Sequence, residues 1–256
     1  MSIVSCELTT RGDELDRFGR IPPAVLLRYC EHARWTAIED PALQLGELFA
    51  HDRRIVVRAQ RAVFLGHLGV REPVEASVWL SRVGRTSVEF GQRIRRISDG
   101  ADIAWARVAA VYVGQDRRPT ELPAHVKERV VTEPLMPAEL TELSPPVESA
   151  PSGAFIRTFT IRASEIDLFN HVNHANYLML FDDARIDGER IGGFGPNWVV
   201  DRPLSAAAID YAKESLLGDT LAALVWPIAD GNGLGCELRK IGNQTPLCRA
   251  RLVLQG

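Results

Sequence analysis

Apolar and polar positions follow two different periods along the chain, and these periods predict its strands and helices. Residues 74–81 alternate with a period of two, as a half-buried strand does, and residues 88–94 keep this alternation. The longer, mostly apolar run 104–113 predicts a central strand. Residues 26–33 and 177–184 instead repeat their apolar positions at intervals of three and four, which predicts two amphipathic helices.

The chain also repeats itself. Residues 11–34, RGDELDRFGRIPPAVLLRYCEHAR, match residues 162–185, RASEIDLFNHVNHANYLMLFDDAR, without a gap at an offset of 151 positions. The match joins charged and apolar positions, among them Arg11 with Arg162, Glu14 with Glu165, Asp16 with Asp167 and Ala33 with Ala184. Duplication of one unit explains this match better than chance does.

Each copy predicts the same α+β unit, with a first strand, one helix and four further antiparallel strands whose apolar face packs on that helix. Pro22 and Pro23 suit the first turn of the first helix, and Asn173 is the expected N-cap of the second. The strands after the second helix are predicted at 204–215, 220–229, 233–241 and 245–254.

The two copies predict two domains, at residues 1–118 and 154–256, because the stretch between them reads as a linker. Residues 119–153 hold seven of the fifteen prolines. A short helix is predicted inside this stretch, near residues 124–130.

Composition and charge exclude several classes of protein. The formal net charge of −3 gives no support for nucleic acid as a partner. The four cysteines are widely spaced, without a CxxC pair, which argues against a metal site and a disulfide framework and fits a reducing cytoplasm. Because no signal peptide is evident and no apolar run approaches the ~20 residues of a membrane span, a cytoplasmic protein without a membrane partner is expected.

Arginines cluster at residues 53–61, 93–96 and 117–118. One interpretation is that they are solvent-facing charges on strands. The other is that they form a docking surface for an acidic carrier or a phosphorylated cofactor.

The loop that enters the second helix carries the candidate chemistry. Asp167 and His171 stand four residues apart at the start of a helix, where backbone N–H groups and a partial positive charge favour an anion. A base and donors for an oxyanion are the groups that thioester hydrolysis needs. The first copy keeps Asp16 but has Gly19 and Arg20 in place of Asn170 and His171. The sequence therefore predicts one catalytic copy and one supporting copy.

Residues 167–185, DLFNHVNHANYLMLFDDAR, resemble the signature of the hotdog-fold thioesterases, and the tandem arrangement resembles the acyl-carrier-protein thioesterases of plants and bacteria. This resemblance implies two tandem hotdog domains, each a long helix wrapped by an antiparallel sheet. It also implies catalytic roles for Asp167, His171 and Glu214. The asparagine of the family falls on Phe169, so that Asn170 is the nearest replacement, and its cysteine falls on Ser215.

The resemblance implies hydrolysis of a fatty or related acyl thioester carried by acyl carrier protein or CoA, without a metal or an organic cofactor. Asp167 would act on water as a general base or attack the carbonyl to form an anhydride, and both routes stay open. The expected substrate-binding and oxyanion residues are Asn170, Asn173, Asn176 and Ser215. A non-catalytic acyl-binding module and a hotdog hydratase or dehydratase are the alternatives. The sequence is compatible with a monomer of fused hotdogs and with a homodimer. It does not specify the length of the acyl chain.

Overall fold

The computed structural model describes residues 3–40, 45–50, 53–132, 134–146, 149–195, 198–228, 233–243 and 245–255. The chain divides into two compact units, Met1–Glu142 and Leu143–Gly256. Residues 133, 147 and 148 of the predicted linker and residue 229 of a predicted strand lie outside the described residues.

In the first unit, the described residues form one long helix and a five-stranded antiparallel sheet. The strands are β1 Val4–Thr9, β2 Arg54–Phe64, β3 Pro73–Val83, β4 Ser87–Arg96 and β5 Asp102–Val113, and the helices are α1 Pro23–Glu39, α2 Ala124–Lys127 and α3 Ala138–Thr141. Neighbouring strands follow the order β1-β3-β4-β5-β2. The period-two segments 74–81 and 88–94 are confirmed as parts of β3 and β4, and the apolar run 104–113 is confirmed as part of β5.

The apolar stripe of α1 fixes this helix against the sheet. Pro23 occupies its first turn, where the missing N–H leaves no hydrogen bond unmade. Along the stripe Leu26, Leu27, Cys30 and Ala33 are each at most 3% exposed. Because full burial of one large aliphatic side chain contributes about 1.5–3 kcal/mol, this stripe outweighs differences in local helix propensity.

The described residues of the second unit repeat this architecture. The strands are β6 Phe155–Thr160, β7 Leu204–Tyr211, β8 Thr220–Pro227, β9 Gly233–Lys240 and β10 Pro246–Leu254, and the long helix is α4 His174–Arg190. Their order is β6-β8-β9-β10-β7, which is the order of the first unit. Both β6 and α4 begin and end 151 positions after β1 and α1, so the duplication extends beyond the segment in which the sequence shows it. The predicted α+β class is confirmed.

Each sheet contains a cross-strand pair that the sequence repeat does not reveal. Trp79 of β3 lies opposite Gly91 of β4, and Trp226 of β8 lies opposite Gly235 of β9. A Cβ atom at either glycine would lie 2.3 Å from its tryptophan ring. Glycine is therefore required here by the close approach of an indole, and not by a special backbone angle.

Part of the predicted linker packs on the first unit. The division between the units falls after Glu142, and the apolar residues before it are at most 4% exposed: Leu122, Val126 and Leu140. The short helix predicted near 124–130 is α2, which ends at Lys127. Burial of these side chains extends the first unit well past residue 118.

Candidate active site

The loop before α4 is closed by the side chain of Asp167. Its Oδ1 accepts the backbone N–H groups of Phe169 at 2.9 Å and His171 at 3.3 Å. The backbone N–H of Asp167 donates to the His171 carbonyl at 2.8 Å. Within the part of the chain that the structure describes, both side-chain bonds fall on Oδ1, so Oδ2 is the oxygen that chemistry can use.

The imidazole of His171 forms an ion pair with Glu214. Its Nε2 lies 2.7 Å from Oε2 of Glu214, and the two side chains are 24% and 46% exposed. A carboxylate at this distance accepts a hydrogen bond from the ring N–H and so orients the imidazole. The structure therefore brings the three predicted catalytic residues together, Asp167 and His171 through one loop and His171 and Glu214 through the ion pair.

Glu214 lies in a loop and not on a strand, which corrects the predicted strand 204–215. Strand β7 ends at Tyr211, because the next two backbone N–H groups both donate to the Leu247 carbonyl, at 2.8 and 3.0 Å. This departure from the sheet gives Glu214 the freedom to reach His171.

Ser215 is buried below the site. It is 0% exposed, and its carbonyl accepts the N–H of Val172 at 2.9 Å. Residue 215 therefore ties the segment after β7 to the loop before α4. Its burial favours a supporting role over the direct substrate contact expected from the sequence.

The other predicted polar residues shape the loop and the start of the helix. Asn173 is confirmed as the N-cap, since its side chain accepts the N–H of Ala175 at 2.9 Å. The Asn176 amide donates to the carbonyl of Glu165 at 3.0 Å. Asn170 is exposed and has a left-handed backbone, with φ 63°. The oxyanion roles of these three asparagines stay a prediction.

Tyr177 is the site residue that sequence reasoning missed. The sequence periodicity places it on the apolar stripe of the second helix, yet its hydroxyl donates to Oγ of Ser215 at 3.1 Å. The signal lay in the residue type, because a tyrosine on an apolar stripe must find a partner for its hydroxyl.

The first copy keeps the loop but lacks the imidazole. Oδ1 of Asp16 accepts the N–H groups of Phe18 at 2.8 Å and Arg20 at 3.0 Å. The guanidinium groups of Arg17 and Arg20 lie 4.7 and 5.9 Å from the centre of the exposed Phe18 ring. The first copy therefore places permanently charged arginines where the second copy has an imidazole, the side chain that can act as a general acid or base.

The arginine clusters differ in their surroundings. The cluster at 93–96 pairs with carboxylates of its own unit: Arg93 with Asp102, Arg95 with Glu75 and Arg96 with Glu72. Those pairs favour the interpretation as strand charges. Arg117 and Arg118 are exposed in a turn after β5, where Arg118 contributes its backbone N–H to Asp116.

The described residues include no cluster of His, Cys, Asp and Glu that could hold a metal ion. Among those same residues, no helix is both long and apolar enough to cross a membrane. The four cysteines are unpaired.

Comparison with known proteins defines the class of fold first. Residues 10–130, just under half of the chain, match the sequence model of the Thioesterase-like superfamily. Over its whole length the chain superimposes on an acyl-ACP thioesterase from Bacteroides thetaiotaomicron, with a TM-score of 0.81 at 19% identity and full coverage of both chains. The predicted tandem hotdog fold is therefore confirmed, as is the resemblance to the hotdog-fold thioesterases.

Two further proteins that the chain resembles are acyl carrier protein thioesterases. The 12:0-ACP thioesterase from Umbellularia californica matches with a TM-score of 0.80 at 15% identity, over 99% of this chain and 94% of that one. A chloroplastic acyl-acyl carrier protein thioesterase of Arabidopsis thaliana is 28% identical over 123 residues, which are 47% of this chain and 64% of the relative. The chain thus spans less than two thirds of the curated relatives that it matches.

Proposed function

We propose that the chain is a thioester hydrolase with one catalytic site, in the second unit. The observation that carries this proposal is the contact of 2.7 Å between His171 and Glu214 beside Asp167. The first unit has the same loop without this pair. Thioesterases among the relatives of both sequence and fold support the same reaction class.

The three side chains divide the work of hydrolysis. Asp167 acts on water as a general base, or attacks the carbonyl carbon itself and is released from the anhydride by water. In either route the carbon–sulfur bond breaks and the leaving thiolate takes up a proton. His171, held by Glu214, is placed to supply positive charge or that proton. A single turnover in ¹⁸O-labelled water tests for the anhydride, since label enters the Asp167 carboxylate only when water attacks the aspartyl carbon of that anhydride.

Acyl carrier protein is the proposed carrier of the acyl group. Support comes from the relatives, whose names specify acyl carrier protein, and from the exposed arginines at 117 and 118. We also propose a cytoplasmic, reducing location, which unpaired cysteines suit.

A thiol-release assay tests the proposed function. One acyl group is presented on acyl carrier protein, on CoA and on pantetheine, and the free thiol is measured for the wild type and for Asp167→Asn. Release that depends on Asp167 supports hydrolysis, and a lower KM for the carrier supports the proposed carrier. Loss of a 2-enoyl chromophore without thiol would identify a hydratase, and acyl binding without turnover would identify a binding module.

A further inference from the structure

A buried hydrogen bond lies beneath the proposed catalytic residues. Tyr177 of α4 donates its phenol hydroxyl to Oγ of Ser215 at 3.1 Å. The two residues are 3% and 0% exposed. A hydroxyl removed from water to this extent needs a protein partner, so each of these groups holds the other in place.

Ser215 is the junction between the two segments that carry the ion pair. Helix α4 contacts its side chain through Tyr177, and the loop contacts its carbonyl through the N–H of Val172 at 2.9 Å. His171 directly precedes Val172, and Glu214 directly precedes Ser215. Glu214 is therefore the chain neighbour of Ser215, and His171 is the chain neighbour of Val172, which bonds to Ser215.

A second tyrosine restrains the first. The ring of Tyr211 packs edge to face with that of Tyr177, with 5.4 Å between their centres. The Tyr211 hydroxyl donates to the carbonyl of His174 at 3.1 Å, at the first residue of α4. This packing limits rotation of the Tyr177 ring and keeps its hydroxyl directed at Ser215.

The hydroxyl occurs only in the copy that has the imidazole. Leu26 occupies the position 151 residues before Tyr177 and brings no donor. In the first unit the helix tyrosine is Tyr29, whose hydroxyl bonds to Glu14 instead. The contact with residue 215 is thus not a general requirement of this helix in the fold.

The phenol remains a donor over the working range of pH. Burial raises the pKa of Tyr177 well above its usual value, and the negative charge of Asp167 adds to this effect, while the bond to Ser215 opposes it.

We propose that Tyr177 is a positioning residue for the hydrolysis proposed above, and that it acts through Ser215 to set the geometry of His171 with Glu214. Tyr177 itself does not meet the substrate. It fixes the junction from which the ion pair is built, and this inference therefore rests on the proposed function for its effect on rate.

Three variants of the full chain test the inference: Tyr177→Phe, Ser215→Ala and the double variant. Each single change should lower kcat at least tenfold, with KM within about twofold of the wild type, since the ground-state contacts of the substrate are unchanged. The double variant should be no slower than the slower single variant, because both changes break one bond. Tyr29→Phe is the matched control in the first unit and should keep the wild-type kcat.

An NMR titration of the His171 imidazole gives a readout that does not depend on turnover. Its midpoint should move in Tyr177→Phe and in Ser215→Ala, and should stay in place in Tyr29→Phe. If the midpoint moves in these variants but the wild type releases no thiol, the proposed function is rejected and the positioning role is kept. An unmoved midpoint overturns the inference, whether kcat is retained or falls together with the melting temperature. Ser215→Ala decides the matter if Tyr177→Phe fails to fold.

Discussion

Asp16 and Asp167 make the same pair of hydrogen bonds, 151 positions apart. Each Oδ1 accepts the backbone N–H groups two and four residues further on, at 2.8 and 3.0 Å for Asp16 and at 2.9 and 3.3 Å for Asp167. In each loop the residue between the two N–H donors has a left-handed backbone, with φ 72° at Gly19 and 63° at Asn170. The aspartate thus closes the loop in both copies. A catalytic role for only one copy must therefore come from the residues that differ, which are His171 and Arg20 at the matching position.

Replacement by asparagine separates these two uses of the carboxylate. Asparagine keeps an oxygen that accepts both N–H groups but loses the charge and the basicity. Asp167→Asn should therefore lower kcat by at least about 10²-fold, the usual scale of a lost general base. Asp16→Asn should retain most of the wild-type kcat. Steady-state thiol release measures both, and comparable losses from the two changes would refute the single-site interpretation.

Much of the fold could be read from the sequence because the duplication was gapless where the helices begin. The match of residues 11–34 with 162–185 located both long helices, and strand alternation located β3 and β4. The Trp79–Gly91 and Trp226–Gly235 pairs could not be predicted from the sequence, because they join residues of different strands. Register across a sheet is set by long-range packing, which a single strand does not reveal.

The candidate site was predictable in its residues and not in its geometry. The spacing of Asp167 and His171 marked the loop, and the family resemblance marked Glu214. That Glu214 leaves its strand, and that Tyr177 bonds to Ser215, depend on where β7 meets β10 and α4 in space. Local periodicity gave Tyr177 an apolar position, and tertiary packing gave its hydroxyl a partner.

Glu214→Gln should have an intermediate effect on rate. Glutamine can still accept a hydrogen bond from His171 but carries no negative charge. We expect kcat to fall by about tenfold to a hundredfold, between the two aspartate variants. A silent Glu214→Gln would remove Glu214 from the site and leave Asp167 and His171.

The two Trp–Gly pairs predict a matched loss of stability. Gly91→Ala and Gly235→Ala each place a methyl group 2.3 Å from an indole, so the ring or the strand must shift. Such overpacking costs about 1–3 kcal/mol of unfolding free energy. Gly153→Ala is the control, because nothing lies within 4 Å of its added Cβ. Chemical denaturation measures all three variants. Equal midpoints for Gly91→Ala and Gly153→Ala would show that the Trp79 ring moves aside without loss of unfolding free energy.

Charge reversal at the exposed turn after β5 tests docking of an acidic carrier. Arg117→Glu and Arg118→Glu together should raise KM for acyl carrier protein substrates severalfold and leave KM for acyl-pantetheine unchanged. The effect should weaken as salt rises, since the screening length is ~10 Å at 0.1 M ionic strength. The pantetheine substrate controls for damage to the site. If KM for the carrier substrates changes neither with charge reversal nor with salt, this turn is not a docking surface for the carrier.

His171 is the residue at which a loop role and a catalytic role make opposite predictions. The first copy accepts Arg20 at the matching position with its loop hydrogen bonds intact, so the fold does not require the imidazole there. His171→Ala should therefore change the unfolding free energy by no more than roughly 0.5 kcal/mol. It should nonetheless lower kcat/KM at least tenfold, about 1.4 kcal/mol of transition-state stabilisation. A melting curve and the kinetics of thiol release on one purified variant measure both. Normal melting with normal turnover would make His171 a loop residue, and loss of folding would make it a structural one.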